Sequence, residues 1–150
     1  MSDKRTLYDL VIIDHNKNPR NFREMDAPTA SAHGHNPLCG DHLIVYIRME
    51  GERIADVSFT GGGCAISKAS ASIMTDALKG KTRQEAEALF AKFHNMLNLD
   101  ATDAVPAEDL GKIEALRGVR EYPVRVKCAT LAWHALAAAL NGEAGTITTE

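Results

Sequence analysis

Gly61-Gly62-Gly63-Cys64-Ala65-Ile66-Ser67 reads as the end of a strand feeding the first turn of a helix. Three glycines let the backbone turn sharply and approach whatever the cysteine holds. A helix N-terminus carries a partial positive charge, so a thiol placed there is favoured as the thiolate, the nucleophilic and metal-binding form. Taken alone, Cys64 also fits a buried cysteine after a Gly-rich turn, and the segments on either side have to decide.

Upstream, Leu43, Val45, Ile47 and Met49 alternate with Ile44, Tyr46, Arg48 and Glu50, the pattern of a strand with one buried face. Gly51-Glu52-Arg53 turns the chain back, and residues 54–59 alternate again. The result is an antiparallel hairpin that delivers the chain to Cys64. The loop Pro37-Leu38-Cys39-Gly40-Asp41 precedes the first strand, so the hairpin carries Cys39 and Cys64 to the same end of the sheet. Residues 29–36 form at most a short edge strand, with His33 and His35 flanking Gly34. His-x-His on a strand can chelate a metal, although histidines on a polar, exposed segment are more often simply solvated.

Downstream, residues 65–79 read as a helix rich in Ala and Ser, closed by Gly80. Thr82-Arg83-Gln84-Glu85 is a capping-box sequence that opens a helix running to about residue 97, with Ala86, Leu89, Phe90 and Phe93 on one face. Near the start, Thr6 is placed to cap a helix carrying Leu7, Leu10 and Val11. That helix stops between residues 14 and 17, before the turn Asn18-Pro19-Arg20-Asn21, and residues 22–28 read as irregular. Residues 98–119 are acidic, with Pro106 and a short helical stretch around Leu110, Ile113 and Leu116. They read as an excursion from one domain. A last helix starts at Pro123 and sets Val124, Cys128, Leu131 and Ala135 at helical steps, which turns Cys128 to the core side. Asn141-Gly142 ends it, and residues 143–150 look like a frayed tail.

A chain of 150 residues with 45% hydrophobic content suits a single domain over residues 1–150. A net charge of -3 with interspersed signs leaves no basic stripe for nucleic acid. Charge interrupts the apolar runs before membrane-spanning length, and Met1-Ser2-Asp3-Lys4-Arg5 lacks the apolar core of a signal peptide. The expectation is a cytoplasmic protein that binds neither membrane nor nucleic acid. Three cysteines, far apart and without a Cys-x-x-Cys pair, argue against a disulfide framework and leave metal binding or thiol chemistry.

Gly40 lets Cys39 and Asp41 turn toward one point. With Cys64 and Cys128 they make three thiolates and one carboxylate, a set that suits zinc or the irons of a small iron–sulfur cluster. Spacing alone, without tight Cys-x-x-Cys pairs, favours the plainer reading of two core cysteines and one surface thiol.

Three motifs in order resemble the IscU/NifU-N-terminal iron–sulfur cluster assembly superfamily. They are Cys39-Gly40-Asp41, then Gly61 to Ser67 continued by Ala69-Ser70-Ala71-Ser72, then Tyr122-Pro123-Val124-Arg125-Val126-Lys127-Cys128-Ala129-Thr130-Leu131-Ala132-Trp133. His15 and Asn18-Pro19-Arg20-Asn21 fit the same family's entry segment. The resemblance implies an α+β fold, a three-stranded antiparallel sheet with helices on one face. Two departures from the scaffold members are similar to the SufU branch. Lys127 stands where scaffolds typically have histidine, and the insertion at 98–119 leads into Glu121-Tyr122-Pro123-Val124-Arg125 in place of a Leu-Pro-Pro-Val-Lys stretch.

Membership of that branch implies a zinc-dependent sulfurtransferase with Zn2+ held by Cys39, Asp41, Cys64 and Cys128. Cys39 would take persulfide sulfur from a SufS-like cysteine desulfurase and hand it to a downstream sulfur or cluster acceptor. Cys64 and Cys128 would anchor the metal, Asp41 would balance charge and orient the exchange, and Arg125 and Lys127 would steer anionic sulfur. The alternative is a scaffold that assembles a 2Fe–2S cluster, or holds iron, on the same four residues. A third reading, a hydrolase using Cys39 and His42, lacks an evident oxyanion device.

Overall fold

The computed structural model describes residues 3–37, 40–98, 111–142 and 146–148, with side chains described over 9–37, 40–98 and 111–142. Helix α1 (Asp3–Lys17) is followed by strands β1 (Ala30–Asn36), β2 (Asp41–Glu50) and β3 (Arg53–Gly62). Then come α2 (Ala65–Leu78), α3 (Arg83–Leu97), a 3₁₀ helix (Gly111–Glu121), α4 (Pro123–Leu140) and β4 (Thr146–Thr148).

The alternation in residues 43–59 builds the hairpin it predicts: β2 and β3 pair antiparallel from His42 opposite Gly62 to Glu50 opposite Arg53. β1 pairs antiparallel with β2, from Ala30 opposite Ile47 to Asn36 opposite Asp41. These three strands form the expected antiparallel sheet. One expectation needs correction, because residues 146–148 pair parallel with His33–His35 and extend the order to β3-β2-β1-β4. Part of the stretch read as a frayed tail is therefore a strand, and β1 is not an edge along those residues. Three residues are too few to show a period of two in sequence.

The opposite edge of the sheet is covered by irregular chain. Phe59 exchanges backbone hydrogen bonds with Asn21 and Arg23 at 3.0 Å each, and Ile54 does so with Gly80 and Lys81 at 2.8 and 2.7 Å. An edge covered in this way offers no free ladder to another chain.

The inner face of the sheet, with Ala32, Leu43, Val45, Ile47, Val57 and Phe59, is buried in one core with Leu131, Ala132, Ala135 and Leu136 of α4. α2 packs on both α4 and α1, and its Ala69, Ser70, Ala71 and Ser72 are all fully buried. Small side chains allow that close approach, and the hydroxyls are used within it. The Ser70 hydroxyl donates to the Ala129 carbonyl at 2.5 Å and accepts from the Trp133 indole at 3.1 Å. Trp133 stacks on Phe93 of α3 with ring centres 4.5 Å apart. The Thr82–Glu85 capping box opens α3 as its sequence predicts.

α1 begins at Asp3, so Thr6 lies inside the helix and does not cap it. Its face also differs from expectation: Leu10 and Ile13 are 57% and 48% exposed, while Val11 and Ile12 meet the core. His15 fixes the rotation. It is buried, and its Nδ1 lies 2.7 Å from the Ser72 hydroxyl, which also accepts from the Arg20 backbone N–H at 2.8 Å. The other ring nitrogen, Nε2, is buried without a partner among the described residues.

Burial, aided by the positive charges of Arg20 and Lys112, holds the His15 pKa below its ordinary value, while Asp14 and Asp76 oppose this only weakly. The unfolded chain titrates this group near about 6.5. Below that pH the unfolded state binds a proton that the folded state refuses. The stability is therefore fully present above about pH 6.5 and is lost as pH falls toward the folded pKa. Denaturant unfolding between pH 7.5 and 5.5 should show this loss, and His15→Asn, which does not titrate, should show a shallower dependence on pH than the parent chain.

Candidate metal centre

Asp41 opens β2 and Cys64 follows β3, so the hairpin register sets them side by side. The Asp41 carboxylate is fully buried, and its Oδ1 accepts the Cys64 backbone N–H at 2.7 Å. Its Oδ2 lies 4.0 Å from the Cys64 Sγ. Cys64 is the N-cap of α2, and its sulfur accepts the Ser67 backbone N–H at 3.4 Å. A sulfur in the usual place of a Ser or Asp cap receives one of the helix's unpaired donors, as the sequence implies.

Cys128 sits in the second turn of α4, fully buried, its thiol 3.7 Å from the Val124 carbonyl. Asn36, at the end of β1, donates its side-chain N–H to the Cys128 sulfur at 3.6 Å. Ligand atoms of Asp41, Cys64 and Cys128 all lie within 4.8 Å of one another. Zinc held by thiolates and a carboxylate separates its ligand atoms by about 3.5–3.8 Å, so small side-chain shifts would close this trio on a metal. Two sulfurs and a carboxylate oxygen match zinc in donor chemistry as well.

The structure thus brings together three of the four residues proposed as ligands. The fourth, Cys39, lies outside the described residues. Arg125 and Lys127 occupy the start of α4 just before Cys128, the first exposed and the second half-buried. His42, a partner of Cys39 in the hydrolase reading, points to the outer face of the sheet, opposite to buried Asp41.

Sequence reasoning missed Asn36 and the role of Gly63. Asn36 was visible in principle: along β1, Ala32, Gly34 and Asn36 share the inward face, and a polar residue there needs a polar partner. Gly63 has φ +148°, and a Cβ on it would stand 2.1 Å from Asp41 Oδ1 and 2.7 Å from the Asp41 Cα. Gly61, at φ +110°, presses in the same way on the His42 carbonyl. Gly62 between them has open space around its Cβ position.

The profile of the NifU-like N terminal domain family matches residues 7–141. The chain is 43% identical over 140 residues to the zinc-dependent sulfurtransferase SufU of Bacillus subtilis, covering 93% of each chain. It is 40% identical over 144 residues to the iron–sulfur cluster assembly scaffold protein IscU of Streptococcus pyogenes, covering 96% of this chain and 89% of the relative. A crystal structure from Fervidobacterium islandicum, described as a candidate iron–sulfur cluster assembly scaffold protein for the SUF system, superposes with a TM-score of 0.82. It is 34% identical and covers 91% of this chain and 98% of that one.

Because Gly63 alone makes room for the buried carboxylate, Gly63→Ala should cost about 1–3 kcal/mol of stability through backbone strain and displacement of Asp41. It should also weaken metal binding. Gly62→Ala should be near neutral in both respects. Thermal unfolding and metal titration of the two variants side by side check this.

Proposed function

The chain belongs to the NifU-like N-terminal domain family, and from that premise we propose that it is a zinc-dependent, SufU-type persulfide acceptor working with a cysteine desulfurase. The observation that carries the reading is the convergence of Asp41, Cys64 and Cys128 at the end of the sheet where the Cys39 loop joins β2. The 43% identity to a zinc-dependent sulfurtransferase, over 93% of both chains, supports the same branch. Among the described residues no helix is long and apolar enough to cross a membrane.

Cys64 and Cys128 sit on helix turns, and Asp41 is clamped by the Cys64 N–H, so these three are the fixed donors. Cys39 is two residues from Asp41 in the chain, and it is the ligand this reading assigns to release and sulfur transfer. Zinc, when bound, holds thiolates deprotonated and has no redox chemistry of its own.

The transfer itself is a thiol–disulfide type exchange. The Cys39 thiolate attacks the terminal sulfur of the desulfurase persulfide. A new S–S bond forms on Cys39, the persulfide S–S bond breaks, and the desulfurase cysteine leaves as a thiolate. No net oxidation or reduction occurs, because the terminal sulfur passes between two thiolates. Arg125 and Lys127, just ahead of Cys128, would attract the anionic sulfur species. The persulfide on Cys39 then serves a downstream sulfur or cluster acceptor.

The similarity to IscU of Streptococcus pyogenes favours a second reading, a scaffold for a 2Fe–2S cluster on the same residues. Anaerobic reconstitution separates the two: a stable coloured cluster without stimulation of a desulfurase indicates the scaffold.

Protein purified without added metal should carry one zinc per chain, and chelation should lower its melting temperature. Cys64→Ser and Cys128→Ser should lower the melting temperature more than Cys39→Ser, since the first two lie on packed helices. Elemental analysis and thermal scans read both outcomes.

Adding the protein to a SufS-like desulfurase should raise turnover of free cysteine. Cys39→Ala should abolish the stimulation and leave complex formation intact, and mass spectrometry should find reductant-labile sulfur on Cys39. Stimulation that survives in the alanine variant would assign the acceptor role elsewhere.

A further inference from the structure

The hairpin register that buries Asp41 also turns the next residue outward, and there it meets two more histidines. His33 and His35 share the outer face of β1, two residues apart, and His42 on β2 is registered directly opposite His35. The His42 ring centre lies 5.5 Å from that of His35 and 6.4 Å from that of His33. His33 and His42 are exposed and His35 is half-buried, so all three rings reach solvent. The position opposite His42 on β3 is Gly62, which places no side chain over the cluster.

We propose that His33, His35 and His42 form a second metal site, separate from the buried thiolate centre, for an imidazole-preferring divalent ion such as Zn2+ or Ni2+. Two imidazoles that share a metal at ordinary bond lengths bring their ring centres to about 5 Å, close to the spacing around His42. The ring nitrogens are not yet as close as the trio at Asp41, the one group among the described residues whose ligand atoms already lie within 4.8 Å of one another. Exposed rings turn about χ1 and χ2 at little cost, on a pico- to nanosecond scale.

The neighbouring outward positions set the choice of metal. Ile44 stands opposite His33, Tyr46 opposite Ser31, and Thr60 opposite Ile44. None of these is a carboxylate, so among the described residues the donor set is nitrogen only, which favours zinc, nickel, cobalt or copper over magnesium or calcium. Three ligands on an open face leave positions for water, which makes the ion exchangeable. The two faces of β2 would then hold metal differently, a buried thiolate set inward and an exposed imidazole set outward.

Equilibrium dialysis of the zinc-loaded protein against free Zn2+, followed by elemental analysis, tests the site. The parent chain should bind one zinc more than His33→Ala or His42→Ala. Each variant should lose at least about tenfold in affinity for that ion, while His94→Ala, remote on α3, should behave as the parent. Imidazole nitrogen chemical shifts of His33, His35 and His42 should move as the extra zinc is added, and those of His15 should not. The comparison between parent and histidine variants reads this site whatever metal the thiolate centre holds, and therefore independently of the proposed sulfur transfer. Equal zinc content in parent, His33→Ala and His42→Ala, or unmoved imidazole shifts, would overturn the proposal.

Discussion

The hydrogen bond from the Cys64 backbone N–H to the Asp41 carboxylate, 2.7 Å long, ties the first residue of β2 to the first turn of α2. A fully buried carboxylate is costly unless its oxygens have partners. One oxygen is satisfied by this donor at a helix N-terminus, where negative charge is also favoured by the helix dipole. The second is left facing the sulfurs, which is where a cation would balance the charge. Two of the glycines before Cys64 are explained by close approach to this end of β2. Gly63 yields its Cβ space to Asp41 and Gly61 to the His42 carbonyl, whereas Gly62 yields nothing. The run of three is therefore two requirements with a permissive residue between them.

Cys128 depends on a different constraint, the seating of α4 against α2 and the sheet. Gly34 on β1 meets Leu131, with a Cβ position only 3.1 Å from the leucine side chain, so α4 lies as close to the sheet as a bare backbone allows. Ser70 bridges the Ala129 carbonyl and the Trp133 indole, fixing α4 along its axis relative to α2. A slide of α4 by one residue would break both bonds and carry Cys128 away from Cys64. The centre is thus assembled from two independently held pieces: a hairpin-to-helix turn that presents Asp41 and Cys64, and a packed helix that presents Cys128. A shared metal would couple them, so its removal should loosen α4 against the sheet more than it disturbs the hairpin.

The parts of this architecture that were legible in the sequence are those in which a local signal and the tertiary packing agree. The β2–β3 hairpin, the Thr82 capping box and the helix starting after Cys64 all belong here, because alternation, capping chemistry and glycine placement point the same way. What escaped notice has a physical reason in each case. β4 is too short to carry a period, and its pairing with β1 is a long-range event. The rotation of α1 is set by a buried histidine and its bond to Ser72, not by the leucine count, so Leu10 ends on the surface. The gathering of Cys64 and Cys128 could not be read from spacing, since 64 residues separate them and only the sheet-to-helix packing closes that distance. Family resemblance supplied the expectation, and the seating of α4 against the sheet and α2 supplies its cause.

Strand alternation makes one further demand on the segment around Asp41. Successive residues point to opposite faces, so a strand that begins by burying a carboxylate must expose the next side chain beside the same sheet end. In β2 that side chain is His42, and in β1 the residue registered across from it is His35. Asn36, one step further on, returns to the inner face and reaches Cys128. Inner and outer chemistry are therefore interleaved residue by residue, with Asn36 and Asp41 on one side and His35 and His42 on the other. A one-residue register slip of β2 would turn His42 inward and Asp41 outward, placing an imidazole among the core thiols and a carboxylate in water. The hydrophobic inner face of Ala32, Leu43, Val45 and Ile47 opposes that slip, so the apolar core, through register alone, holds the polar ends of these strands in place.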